Sequence, residues 1–188
     1  MLKPAIDYIN DNYGSRRGLL NASRERALMW FGSYRMFRSL DWRRVDRLIF
    51  ICHGNICRSP LAEVYAQSLG VEVASYGLSC RKDARADPRA IAYAESINLD
   101  LSGHRTRNIA EFDARPSDLL VVMEPSHLDG VKHVARQAQV TLAGLWLPSP
   151  SPYIHDPFRA NETFFARCES MVASSAGVLV DHVKRRKH

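Results

Sequence analysis

Cys52-His53-Gly54-Asn55-Ile56-Cys57-Arg58-Ser59-Pro60 brings together the residue types needed to bind and attack a phosphate ester. Gly54 and Asn55 tolerate left-handed backbone, so the loop can curl until successive N–H groups face inward as an anion nest. The phosphate-binding stretch then comprises His53, Gly54, Asn55, Ile56, Cys57, Arg58 and Ser59. A following helix adds unpaired N–H groups and the positive end of its dipole. A helix N-terminus and a neighbouring arginine also favour a thiolate, the form in which a cysteine is nucleophilic. Arg58 offers a planar fork that matches two phosphate oxygens. Ser59 can donate a hydrogen bond to the Cys52 sulfur, or serve only as a helix cap. A cysteine and an arginine at this spacing recur by chance; the whole nonapeptide between a buried strand and a helix is far more specific.

Expelling a phenolate or alkoxide near neutral pH also needs a proton donor. Asp156-Pro157-Phe158 offers one, with proline stiffening the loop and Phe158 forming an apolar wall against an aryl group. Taken alone the tripeptide is an ordinary Asp-Pro turn. Paired with the cysteine loop, Asp156 becomes the acid that protonates the leaving oxygen and the base that activates water against a phosphocysteine.

These groups need a scaffold. Leu48-Ile49-Phe50-Ile51-Cys52 reads as a fully buried strand, and beyond it short apolar runs alternate with helical segments, the pattern of an α/β fold with a mainly parallel sheet. Helices are predicted from about Pro60 to Leu69, Asp87 to Ile97, Pro125 to Ala138 and Asn161 to Val183. Further strands are predicted over Val71 to Ser75, Asp118 to Met123 and Val140 to Leu145. The cysteine loop then lies beyond the carboxyl end of a central strand, where such sheets bind ligands. Residues 1–46 read as an N-terminal extension to a domain over 47–188. Ala27, Trp30, Phe31, Tyr34 and Phe37 recur at helical spacing and predict one apolar helix face packed on that domain; a membrane-surface or partner-binding face is the alternative.

With 188 residues the chain can bury one substantial core. No run approaches the roughly 18 apolar residues of a membrane span and no signal-peptide block follows Met1, which points to the cytoplasm and to no transmembrane segment. Four scattered cysteines suggest reduced thiols rather than a disulfide scaffold, and no metal-ligand spacing surrounds them. The formal charge of +6 is dispersed and unaccompanied by a nucleic-acid-binding motif, so no nucleic-acid partner is expected.

From about Val45 to Val183 the sequence resembles the low-molecular-weight protein-tyrosine phosphatases. That family carries a C-x-G-N-x-C-R-S loop and a late D-P-aromatic motif, and segments like Ser75-Tyr76-Gly77, Asp87-Pro88-Arg89-Ala90, Leu101-Ser102-Gly103-His104-Arg105 and Asp118 to His127. The resemblance implies a three-layer sandwich around a four-stranded parallel sheet, with the phosphate loop between the first strand and its helix, and no metal or other cofactor. It assigns Cys52 as nucleophile, Arg58 to phosphate and Asp156 as acid and base, with Asn55, Ser59 and Ser75 supporting the loop. It implies a phosphotyrosine protein as substrate, a bacterial tyrosine kinase by analogy, and phosphate, vanadate or other oxyanions as competing ligands.

Several positions depart from the pattern. His53 stands where an apolar residue is common, and its ring is expected to face solvent. Cys80-Arg81-Lys82-Asp83 replaces a segment that often carries an aromatic, which puts Arg81 beside Phe158 in the substrate cleft. Arg159 stands where many relatives have a second aromatic. Cys57 is either a small buried loop residue or a redox partner that protects Cys52 as a disulfide. Two other activities fit the scaffold. A thiol-dependent arsenate reductase would need a closely spaced downstream cysteine pair, which Cys80 and Cys168 do not resemble. A protein-arginine phosphatase tends to carry threonine where this chain has Ile56.

Overall fold

The computed structural model describes residues 2–185. Four parallel strands, β1 (Arg47–Cys52), β2 (Glu72–Gly77), β3 (Asp118–Val122) and β4 (Gln139–Leu142), lie in the order β2-β1-β3-β4. Six α-helices accompany them: α1 (Leu2–Tyr13), α2 (Arg16–Trp30), α3 (Arg58–Ser68), α4 (Pro88–Ser96), α5 (His127–Val131) and α6 (Glu162–Arg185). Continuous Leu/Ile/Phe and Leu/Val runs make β1 and β3 because both faces of the sheet are covered, and every residue of β1 after Arg47 is buried. The chain leaves β1 through α3 to reach β2 on one side, then returns across it to β3 on the other. The carboxyl ends of β1 and β3 therefore open on the point where strand order reverses, the usual ligand crevice of an open parallel sheet.

The helix expected from Pro125 to Ala138 is much shorter, since α5 stops at Val131 and the following residues form turns. His127-Leu128-Asp129-Gly130-Val131 sets glycine, histidine, aspartate and valine, all weak helix formers, around one leucine, so propensity does little to carry the helix on. β4 likewise ends at Leu142, where Ala143–Trp146 closes into a 3₁₀ turn that Ser151 N bonds at Gly144 O, 2.9 Å away.

The single apolar face expected over residues 27–37 is also corrected. α2 ends at Trp30 in a Schellman turn, with Gly32 N bonding Met29 O at 2.9 Å and Ser33 N bonding Leu28 O at 3.1 Å. Gly32 takes the left-handed φ of 84° that this turn requires. Trp30 and Phe31 consequently point outward, 86% and 87% exposed, while Tyr34 is buried with its hydroxyl donating to the buried Glu25 carboxylate. α1 packs on α2 and on α6. Residues 37–41 then run beside β4. Thr141 Oγ1 donates to Phe37 O at 2.7 Å, and the Gln139 amide both accepts from Asp41 N at 2.7 Å and donates to Asp41 O at 2.9 Å. Trp42 stacks on His182 of α6 with ring centroids 4.6 Å apart. No described helix is long and apolar enough to cross a membrane.

Candidate active site

Cys52 ends β1, and the chain turns through His53–Cys57 into α3. The loop curls at Asn55, which holds a φ of 51°, whereas Gly54 stays out of the left-handed region. Asparagine is one of the few side-chain-bearing residues that adopts this conformation readily, and here its side chain is fixed from three directions. Asn55 Nδ2 donates to Ser59 Oγ at 2.9 Å and Ser75 Oγ at 2.8 Å, and Asn55 Oδ1 accepts from Arg107 N at 2.9 Å. Ser75 Oγ donates to Glu63 at 2.5 Å, and Arg107 binds the other Glu63 oxygen at 2.6 Å. His104 Nε2 lies 2.9 Å from Asn55 O. The curl is thus secured by α3, β2 and the 104–107 segment together.

This ordering of donors reaches the nucleophile. With both Asn55 amide hydrogens committed, the Ser59 hydroxyl hydrogen is directed toward Cys52 Sγ, 3.1 Å away, Tyr76 O being a longer alternative at 3.4 Å. Asn55 N donates to the same sulfur at 3.2 Å. Among the described residues, the N–H groups of His53, Gly54, Ile56 and Cys57 donate to no protein acceptor and remain for an anion.

Arg58, the first residue of α3, is 1% exposed. Its Nη1 donates to Glu124 Oε1 at 2.9 Å and Ile154 O at 2.8 Å, its Nη2 lies 3.4 Å from Asp156 Oδ2, and its Nε has no partner. Burial works against its charge, but Asp156, Cys52 and Glu124 outweigh that and keep it a guanidinium. Burial would likewise raise Glu124, yet the His127 hydrogen bond and the Arg58 charge hold its pKa down at about 2. Glu124 is therefore a fixed counter-charge that aims Arg58.

Cys52, His53, Gly54, Ile56, Cys57, Arg58, Asp156 and Phe158 line one cavity of about 160 Å³. The nucleophile loop and the Asp-Pro-Phe motif, a hundred residues apart in sequence, meet there. Phe158, half exposed, and Ile56 both line this cavity. His53 is exposed, so its ring faces solvent at the rim. Cys57 is buried, and burial pushes its thiol pKa up. Arg81 lies outside the cavity lining: Thr106 binds its carbonyl, and Asp83 N bonds Thr106 O at 3.1 Å, tying this segment back toward the loop support. Glu63, Arg107 and Glu124 were not singled out from the sequence. Only Glu124 had a signal, its place just past the carboxyl end of β3.

One buried acid stands behind the site. Glu169 of α6 is 0% exposed and neither carboxylate oxygen has a partner. Burial, with Asp87 and Asp156 adding to it against Arg58 and Arg89, raises its pKa from 4.5 to about 8. A carboxyl so shifted stays protonated in the folded chain after the unfolded chain has lost its proton, so its contribution to stability declines as pH climbs from about 4.5 to about 8. Glu169→Gln is expected to flatten that decline and to gain on the order of 3 kcal/mol at the alkaline end relative to wild type. Thermal melts across this range check it; parallel pH profiles for the two proteins would refute it.

The profile of the Low molecular weight phosphotyrosine protein phosphatase family matches residues 47–188. The low molecular weight protein-tyrosine-phosphatase Wzb of Escherichia coli strain K12 is 35% identical over 135 residues, covering 70% of this chain and 90% of that protein. Among solved structures, the tyrosine phosphatase AmsI of Erwinia amylovora superposes with a TM-score of 0.64 at 28% identity, over 73% of this chain and 92% of its own. Wzb of Escherichia coli K30, solved with sulphate, superposes with a TM-score of 0.61 at 32% identity, over 73% and 97% of the two chains. Fold, loop and likeness agree along the same span, and the chain belongs to the low molecular weight phosphotyrosine protein phosphatase family.

Proposed function

We propose that this chain hydrolyses phosphotyrosine in proteins through a phosphocysteine on Cys52, acting in a reducing cytoplasm that keeps the thiol free. The observation that carries the mechanism is the cavity in which Cys52, Arg58 and Asp156 meet beneath unpaired loop N–H groups. The phosphoryl oxygens take the loop N–H groups and the Nε/Nη2 edge of Arg58, where Nε has no partner and Nη2 lies 3.4 Å from Asp156 Oδ2. Cys52 Sγ attacks phosphorus, the bond to the tyrosyl oxygen breaks, and Asp156 gives that oxygen its proton. Asp156 then takes a proton from water as it attacks the phosphocysteine, and the sulfur leaves as a thiolate stabilised by the Ser59 hydroxyl and Asn55 N–H. Asn55, Ser59 and Ser75 act by holding the loop in its curl.

The apolar pair Ile56 and Phe158 suits an aryl ring, which favours phosphotyrosine over a guanidinium-linked phosphate. An autophosphorylated bacterial tyrosine kinase is the class of protein substrate proposed. The test is release of phosphate from matched peptides bearing phosphotyrosine, phosphoserine or phosphoarginine, with chelator present and vanadate as inhibitor. Chelator-insensitive, vanadate-sensitive release from phosphotyrosine is expected. Preferential release from phosphoarginine would transfer the assignment to arginine phosphatase, and no release from any ester would defeat it.

A further inference from the structure

The segment carrying Asp156 is supported on one side by the phosphatase domain, where Ile154 N bonds Met123 O at 3.0 Å and Ile154 O receives Arg58. Its other support comes from residues outside the family match, which begins at residue 47. We propose that the N-terminal extension is a working part of the active site: the corner between α1 and α2 grips His155 and thereby sets Asp156 at the leaving group. The proposal rests on the reading of Asp156 as the proton donor.

His155 is held at both ring nitrogens. Nε2 lies 3.2 Å from Ser15 Oγ, and Nδ1 lies 2.6 Å from the Tyr153 hydroxyl. The Tyr153 oxygen in turn accepts from Asn21 Nδ2 at 3.2 Å, and Ser15 Oγ accepts from Gly18 N at 2.9 Å. Asn21 donates to Tyr153, and each imidazole nitrogen meets a hydroxyl that can donate or accept, so either neutral tautomer is held at both ends. Burial lowers the His155 pKa and favours that neutral ring. The two ends of the chain of bonds, Ser15 and Asn21, both belong to the extension.

Packing repeats the message. A Cβ built on Gly14 would stand 2.7 Å from His155 Cδ2 and 2.9 Å from the Phe164 ring; one on Gly18 would first meet Tyr13 O at 1.9 Å, with His155 Cδ2 at 3.0 Å. At Gly14 the corner lies so close to the imidazole that a side chain would have to displace it. Asn161, beyond the acid loop, donates to Asp11 at 2.7 Å, so the extension holds both flanks of the segment. Gly14 and Ser15 also line, with His155, a cavity of about 340 Å³ that shares Asp156 and Phe158 with the catalytic one, so the extension reaches the far side of the acid loop.

His155 is thus a positioning residue, and its effect should depend on how much the leaving group needs a proton. Dinitrophenolate departs unaided, whereas phenolate needs the acid. In the full-length chain, the ratio of kcat/KM on dinitrophenyl phosphate to kcat/KM on phenyl phosphate, which reads the step that expels the leaving group, is expected to rise about tenfold in His155→Phe, because a small misplacement of a reacting group is costly. Ser15→Ala should raise the ratio about threefold, and Asp156→Asn should raise it most, by about a hundredfold. A raised ratio in Asp156→Asn with none in His155→Phe and Ser15→Ala overturns the clamp and leaves the acid in place. An unchanged ratio in all three overturns the acid assignment and the clamp with it. Should His155→Phe fail to fold, Ser15→Ala decides alone, since it removes one hydroxyl from the extension without touching the loop.

Discussion

Cys52→Ser is expected to fold as the wild type does and to lose phosphate-ester hydrolysis by about 10⁵-fold or more, the scale on which removing a nucleophile acts. Oxygen and sulfur fit the same space at the end of β1, so the loss comes from chemistry. A serine hydroxyl needs a base to become nucleophilic, and the two groups nearest Sγ, Ser59 Oγ at 3.1 Å and Asn55 N at 3.2 Å, are both arranged to donate. Nothing in that arrangement takes a proton. Anion binding should survive, because the loop N–H groups and Arg58 are untouched. Initial rates on para-nitrophenyl phosphate, set beside calorimetric binding of inorganic phosphate, separate the two effects. Turnover within tenfold of wild type would end the phosphocysteine mechanism.

Arg58→Lys is the second large effect, with kcat falling about 10²–10³-fold, the magnitude of losing a donor aimed at transition-state charge. The guanidinium performs two tasks at once. Nη1 is spent on Glu124 and Ile154 O, and this fixes the direction of the edge that faces the cavity. A lysine ammonium can satisfy Glu124 or reach phosphate, but its point charge cannot do both in a fixed plane. It also leaves the partly buried Glu124 beside fewer donors, so the variant should be less stable as well as slower. Steady-state kinetics and a thermal melt on the same preparation measure both losses. A kcat within a few-fold of wild type would show that positive charge alone suffices here.

The nucleophile loop was legible because its chemistry is contiguous: nine residues carry the sulfur, the curl and the arginine, and a buried strand precedes them. The parallel sheet was legible for a similar reason, since Leu48–Ile51 and Leu119–Val122 are apolar on both faces. Beyond Ser75, which the family resemblance supplied, the support for the loop was not, because Glu63 comes from α3 and His104 and Arg107 from a distant loop, and they meet only when β2 lies beside β1. Periodicity misled where a local signal competed with it. The apolar spacing at Trp30, Phe31 and Tyr34 runs through Gly32, and the turn there sends the first two outward and the third inward. Arg81 is not among the residues that line the catalytic cavity, and Thr106 bonds both its carbonyl and Asp83 N. His155 had no sequence signal, because the partner that ties it to the extension, Ser15, lies 140 residues before it.

The residues beside β4 bear on how the chain behaves in a test tube. The span matched by the family, 47–188, leaves β4 as an outer strand, and an outer strand is a template on which a second molecule can add its own. Here Phe37 and Asp41 occupy that border through Thr141 and Gln139. A chain cut back to the family boundary would therefore leave the Thr141 and Gln139 side chains without these partners and uncover the outer side of β4, and its tendency to self-associate must be separated from any change in turnover before the two are compared.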